Sequence, residues 1–135
     1  MENVCIIDDD IMYQFMAKKI LSDFKEVNQI KVFPDGEKAY DFLKEYHNKS
    51  EHLPGLIFLD INMPIMDGWT FLELFNELKP NLSKSIIICM VSSSHEKIDM
   101  ERTLSNESVA EYIIKPITRE MFQIQIKTFL TNTNG

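Results

Sequence analysis

At 135 residues the chain has room for one compact domain with a buried core and too little for two. With 44% hydrophobic and 26% charged residues it is not a disordered tail, and no apolar run approaches the roughly 20 residues of a membrane-spanning helix. A formal net charge of −7 and the lack of any basic stripe exclude a binder of the nucleic-acid backbone, because no counterions would be released.

Val4 to Ile7 is a short apolar run that stops at carboxylates, the pattern of a strand buried on both faces. Tyr13, Met16, Ala17, Ile20, Leu21 and Phe24 then recur at helical spacing and predict a helix of about four turns. Gln29 to Phe33 reads as a weaker edge strand. Pro34-Asp35-Gly36 supplies turn chemistry before a helix carrying Ala39, Phe42, Leu43 and Tyr46 on one face. The polar stretch His47 to Gly55 reads as a surface loop.

Leu56 to Leu59 again stops at an aspartate, Asp60, and Pro64 and Asp67-Gly68 mark a loop into a helix with Phe71, Leu74, Phe75 and Leu78 toward the core. Ser85 to Val91 is the most β-like stretch and ends in Ser92-Ser93-Ser94, ahead of a polar helix from His95 to about Ser105. Tyr112 to Ile114 is a short fifth strand ending at Lys115-Pro116. Thr118 is placed to cap a last helix whose core face is Phe122, Ile126 and Phe129.

Strands alternating with helices predict an α/β fold, a doubly wound parallel sheet with right-handed crossovers and helices on both faces. Ligands of such sheets bind beyond the carboxyl ends of the strands. Four of those ends are polar: Asp8-Asp9-Asp10, Asp60, Ser92 and Lys115. Carboxylates about 4 Å apart repel by on the order of 4 kcal/mol, so an acid cluster there holds either a cation or a proton. Oxygen donors without histidine or thiolate favour Mg²⁺ or Mn²⁺, with room left for a phosphate. Asp60 is then placed as a nucleophile toward phosphorus, with Lys115 and Ser92 as donors to the transferring group. Taken singly, each residue has a plainer reading: the acid triplet as a helix N-terminus, Asp60 as a turn residue, Ser92 as a helix cap, Lys115 as a solvated lysine. Their conjunction carries the argument.

Cys5 and Cys89 lie inside apolar runs and read as buried, unpaired thiols. His47, His52 and His95 fall in polar segments and read as surface residues rather than phosphotransfer histidines.

Asp8-Asp9 after an apolar strand, Leu59-Asp60-Ile61-Asn62-Met63-Pro64 with Asp67-Gly68, Val91-Ser92-Ser93 and Tyr112-Ile113-Ile114-Lys115-Pro116 stand in an order that resembles the two-component receiver domains, single-domain chemotaxis regulators among them. The likeness spans Asn3 to about Thr131, with residues 1–135 read as one domain and no output domain. It implies a flavodoxin-like (βα)5 fold with strand order 2-1-3-4-5. It implies Asp60 as phosphoacceptor, Asp9 as a direct metal ligand, Asp8 as a ligand through water, and the Asn62 backbone carbonyl as a further ligand, with Asp60 itself on the metal. Ser92 and Lys115 would contact the phosphoryl group, and Tyr112 would couple to Ser92 as a switch, moving inward on phosphorylation. The Lys115-Pro116 bond is implied to be cis, which proline permits at modest cost. Asp10 stands at a variable position as a first-helix cap or an aid to the cation, with the cap favoured. Asn62 and Ser94 sit where the family sets the lifetime of the acyl phosphate.

The function so implied is a phosphoacceptor switch, taking phosphoryl from a sensor histidine kinase or a histidine phosphotransfer protein and then binding a downstream protein. With no secretory signal ahead of Val4, the expected location is cytoplasmic. A monomer or weak homodimer is expected, Met121 and Ile124 lying off the core face of the last helix. Two rivals remain: a degenerate receiver acting only as a binding module, and an aspartate-nucleophile phosphohydrolase. The latter needs a second aspartate at the position of Asn62.

Overall fold

The apolar runs of the sequence become the strands of a single parallel sheet, in the computed structural model that describes residues 2–131. The chain runs β1 (Glu2–Ile7), α1 (Ile11–Leu21), β2 (Val27–Phe33), α2 (Gly36–Glu45), β3 (Leu56–Asp60), α3 (Gly68–Leu78), β4 (Ile87–Ser92), α4 (Lys97–Leu104), β5 (Val109–Ile114) and α5 (Arg119–Ile126). The strand order is β2-β1-β3-β4-β5, the order implied by the resemblance, and the chain reverses its direction of travel between β1 and β3.

Side chains of a strand alternate between faces, so each strand feeds two cores. Ile7, Ile57, Leu59, Ile88 and Met90 pack with Ala39 and Leu43 of α2 and Phe71, Leu72 and Phe75 of α3. Val4, Ile6, Leu56, Phe58 and Val91 meet Ala17 and Leu21 of α1 and Phe122 and Ile126 of α5. Phe58 and Phe122 close that second core edge to face, with ring centroids 5.2 Å apart. Burying each large apolar side chain contributes about 1.5–3 kcal/mol, which is why the continuous runs rather than the amphipathic ones form the centre of the sheet. Cys5 and Cys89 are buried and unpaired, on opposite faces.

Side-chain caps fix four helix starts. Asp10 accepts from Met12 and Tyr13 N–H, Asp35 from Lys38, Asp67 from Thr70 and Thr118 from Met121. Each cap satisfies a backbone donor that the helix leaves unpaired. Asp10 and Thr118 therefore do what their positions predict. Helix α4 has no side-chain cap and begins at Lys97, two residues later than expected.

Several packing expectations need correction. Met16 is 38% exposed, and α1 ends at Leu21 after three turns rather than four, leaving Phe24 half-buried beyond it. The buried arc of α3 runs through Gly68, Phe71, Leu72, Phe75 and Leu78, so Leu72 replaces Leu74, which sits at its edge. Beyond α5 the chain winds as a π-helix over Lys127–Thr131. That wider turn brings Leu130 into the core, with Phe129 only half-buried. The segment before β3 is not all surface: Leu53, Pro54 and Gly55 are buried, and Gly55 exchanges backbone hydrogen bonds with Asn3 and Ile87.

Candidate functional site

β1 and β3 are neighbours in the sheet, with Ile7 in register with Leu59, so the residues that follow them, Asp8 and Asp60, emerge side by side. Asp8, Asp9 and Asp60 each offer a carboxylate oxygen, and these atoms lie within 4.8 Å of one another. Lys115, at the end of β5, reaches across to place Nζ 2.7 Å from Asp8 Oδ2 and 4.0 Å from Asp60 Oδ2. Four residues spread over more than 100 positions of sequence thus meet at one rim of the sheet.

The cluster is held by backbone donors. Asp8 Oδ1 accepts from Asp10 N–H at 2.9 Å, and Asp60 Oδ1 accepts from Ile61 N–H at 2.9 Å. Gln14 Nε2 donates to the Asp8 carbonyl from the first turn of α1, a contact with no counterpart in the sequence reading. Asp8 is 1% exposed and Asp60 8%. Burial pushes Asp60 up to about 6, helped by the charge of Asp8 and opposed by Lys115 and the Ile61 N–H. Asp8 is raised too, again chiefly by burial, against the Lys115 hydrogen bond. Two desolvated carboxylates sharing one lysine are short of positive charge, and a divalent cation would supply it.

Ser92 ends β4 one residue beyond Val91, the cross-strand partner of Asp60, and is fully buried. Its Oγ accepts from Ser94 N–H at 3.1 Å, and its carbonyl accepts from Lys115 N–H at 2.8 Å. The main chains of Ser92 and Lys115 are therefore tied to each other at the end of the β4–β5 ladder. Tyr112 is buried already, with its hydroxyl donating to the Ser94 carbonyl at 3.0 Å. Ser94 also donates to Asp99 Oδ2 at 2.7 Å, so the loop after Ser92 is linked to both β5 and α4. The Lys115-Pro116 bond is cis. Asn62 is exposed, two residues past Asp60. His52 and His95 are exposed and His47 is half-buried, and none of the three belongs to the acid cluster.

The β3–α3 loop turns on two unusual backbones. Ile65 has φ 67°, and Met66 N–H donates to the Pro64 carbonyl, a γ-turn of the rare hand that a β-branched residue adopts only at a cost. Gly68 donates to the Ile61 carbonyl at 2.7 Å, and a Cβ at Gly68 would lie 2.5 Å from the Asp60 carbonyl oxygen and 2.9 Å from Ile61 Cα. Those are main-chain atoms that cannot swing aside. Gly68→Ala is expected to cost about 1–3 kcal/mol in urea unfolding, and a native midpoint would show that α3 does not press on the end of β3.

Taken together, the fold and this rim define a doubly wound α/β domain that presents an acid cluster, a hydroxyl and an ammonium at one switch point of the sheet. The chain belongs to the response regulator receiver domain family, whose profile matches residues 4–127. It is a receiver domain of the two-component type, a signalling domain with a flavodoxin-like fold. The hybrid signal transduction histidine kinase I of Dictyostelium discoideum is 32% identical over 127 residues, 94% of this chain. This chain spans 7% of that kinase, and 50% and 30% of two other curated relatives. A two-component response regulator from Cytophaga hutchinsonii superposes with a TM-score of 0.82 at 28% identity, over 96% of both chains. CheY in the CheX-CheY-BeF3-Mg complex from Borrelia burgdorferi gives 0.77 at 25% identity, over 93% of this chain and 87% of that one. Receiver domains take Mg²⁺ or Mn²⁺ in an acidic pocket, and the all-oxygen donor set of Asp8, Asp9 and Asp60 fits such an ion. No helix among the described residues is long and apolar enough to cross a membrane.

Proposed function

We propose that Asp60 accepts a phosphoryl group from a phosphohistidine of a sensor kinase or phosphotransfer protein, and that the phosphorylated domain then engages a downstream protein. One observation carries this reading: Asp8, Asp9 and Asp60 converge within 4.8 Å while Lys115 reaches both Asp8 and Asp60. An Asp60 carboxylate oxygen attacks phosphorus, the phosphorus–nitrogen bond to the donor imidazole breaks, and the imidazole leaves with the electron pair. Asp8, Asp9, Asp60 and the Asn62 carbonyl would hold Mg²⁺ or Mn²⁺, which neutralises phosphoryl oxygens as charge moves.

Lys115 supplies a mobile ammonium to the same oxygens, moving from Asp8 toward Asp60. Ser92 accepts only from Ser94 N–H among the described bonds, which leaves its hydroxyl proton for a phosphoryl oxygen. A change at Ser92 passes to Ser94, and from there to Tyr112 and to Asp99 of α4. Because α4 lacks a side-chain cap and contributes Thr103 as its only buried residue, little core packing holds it against moving. Ile11, Met12 and Phe15, each at least 71% exposed, border the acid cluster on the first turns of α1. A donor protein has to bring phosphorus to that rim, and these side chains give it an apolar landing. The reading places the domain in the cytoplasm, where thiols such as Cys5 and Cys89 stay reduced.

Intact-mass measurement after incubation with acetyl phosphate and Mg²⁺ tests the chemistry. One added phosphoryl mass is expected, lost with Asp60→Asn and with EDTA. In the same assay Phe15→Ser should slow transfer from a phosphohistidine donor and leave acetyl phosphate transfer unchanged. Absence of any phosphoryl adduct on the native chain would instead favour a degenerate receiver acting only as a binding module, and repeated turnover of a phosphoester would favour a hydrolase.

A further inference from the structure

Periodicity assigns Tyr13 to the core face of α1, but its ring also lies against the site. Lys115 Nζ stands 4.5 Å from the centroid of that ring, besides its contacts with Asp8 and Asp60. The ring is fixed by the start of the helix, since Asp10 accepts the Tyr13 N–H at 3.2 Å, and the residue is 8% exposed. Its hydroxyl is buried with no hydrogen-bond partner. The contact with the ammonium is thus made by the aromatic face, and the hydroxyl adds no bond that would explain it.

We propose that Tyr13 is a positioning residue for phosphoryl transfer, its ring holding the Lys115 ammonium beside Asp60 once Asp8 is taken up by a cation. The inference rests on the phosphoacceptor reading of Asp60. Lys115 makes its shortest contact with Asp8, the same carboxylate that the metal needs. A bound cation gives Asp8 a stronger partner and repels the ammonium. The pull of the ring comes from its quadrupole, which does not change with the charge on Asp8, so this contact survives. Without it, a four-carbon chain with several free rotamers can swing into the open cleft beside it, lined by Met12, Met16, Pro116 and Ile117.

Two substitutions and one double variant test this. Tyr13→Phe keeps the ring and should phosphorylate with acetyl phosphate and Mg²⁺ within twofold of native, with thermal stability unchanged or raised by loss of the orphan hydroxyl. Tyr13→Leu removes the aromatic face and should slow the reaction about five- to thirtyfold, the rate equivalent of a desolvated cation–π contact. In a Lys115→Met background, Tyr13→Leu should cause no further loss. NMR supplies a readout free of turnover: in the Mg²⁺-loaded protein the Lys115 ε-methylene protons should be shifted upfield by the ring, and Tyr13→Leu should return them to ordinary positions. Equal slowing by Tyr13→Leu with and without Lys115, equal slowing by Tyr13→Phe, or unshifted ε-protons in the loaded native protein would each overturn the proposal. If the native chain takes no phosphoryl group while the ε-protons remain shifted, the contact stands and the phosphoacceptor reading is what has failed.

Discussion

Replacing Lys115 with methionine is expected to pull apart two properties of the site: phosphorylation of Asp60 falls about a hundredfold or more, while affinity for Mg²⁺ rises on the order of tenfold. The first effect follows from removing a preorganised positive group from the path of the phosphoryl oxygens, worth about 2.7–4 kcal/mol in comparable electrostatic sites. The second follows from the ammonium's place 2.7 Å from Asp8, where it competes with a cation for the same carboxylate. Lys115 also offsets the burial of Asp8, whose pKa it holds down. Lys115 is half-buried, so removing it leaves the buried Asp8 without its partner at a cost below the roughly 3–5 kcal/mol of a fully buried pair, and the variant should unfold earlier in EDTA and recover with Mg²⁺. Calorimetric titration with Mg²⁺ and initial rates with acetyl phosphate measure the two properties separately. If both fall together, Lys115 is a structural strut rather than a phosphoryl clamp.

The sequence made the strand ends legible because an apolar run has to stop where a sheet edge meets water. Val4 to Ile7 and Leu56 to Leu59 both end at carboxylates, and both ends came to the same rim once β1 and β3 paired. Caps were legible for a local reason: Asp10 and Thr118 bond to N–H groups two or three residues away. What stayed hidden depends on distance along the chain. The Tyr13 ring meets Lys115 only because α1 and α5 pack on the same face of the sheet and Lys115 reaches across from the end of β5, a placement that periodicity within α1 does not encode. Leu53 looked like part of a polar loop, yet it is fully buried, since one apolar residue in a run of polar ones carries no period. The link from Ser94 to Asp99 was equally unreadable, because it follows from α4 beginning at Lys97 instead of using a serine as its cap.

The last expectation concerns pH. Stripped of metal by EDTA, the protein should be more stable at pH 5 than at pH 7.5, the reverse of what a salt-bridged carboxylate gives. Burial raises Asp60 from 3.8 up to about 6, so the folded chain binds that proton more tightly than the unfolded one, and stability falls as pH rises through the window between those values. The whole shift corresponds to about 3 kcal/mol, of which roughly half, about 1.4 kcal/mol, is lost between pH 5 and pH 7.5, and Asp8, raised for the same reason, acts in the same direction. Other carboxylates contribute their own slopes, so the comparison is with Asp60→Asn, which has no proton to bind and should lose most of the fall between pH 5 and pH 7.5. Mg²⁺ should invert the effect in the native chain, because a cation favours ionised Asp60 and binds more tightly as pH rises. The same linkage governs reactivity: protonated Asp60 is no nucleophile, so acetyl phosphate should label the protein more slowly at pH 5, least so at saturating Mg²⁺. Urea unfolding of both proteins at the two pH values, with EDTA and with Mg²⁺, measures every term. Equal slopes for native and Asp60→Asn would mean that Asp60 is solvated and ionised across the range, and that its burial does not tune it.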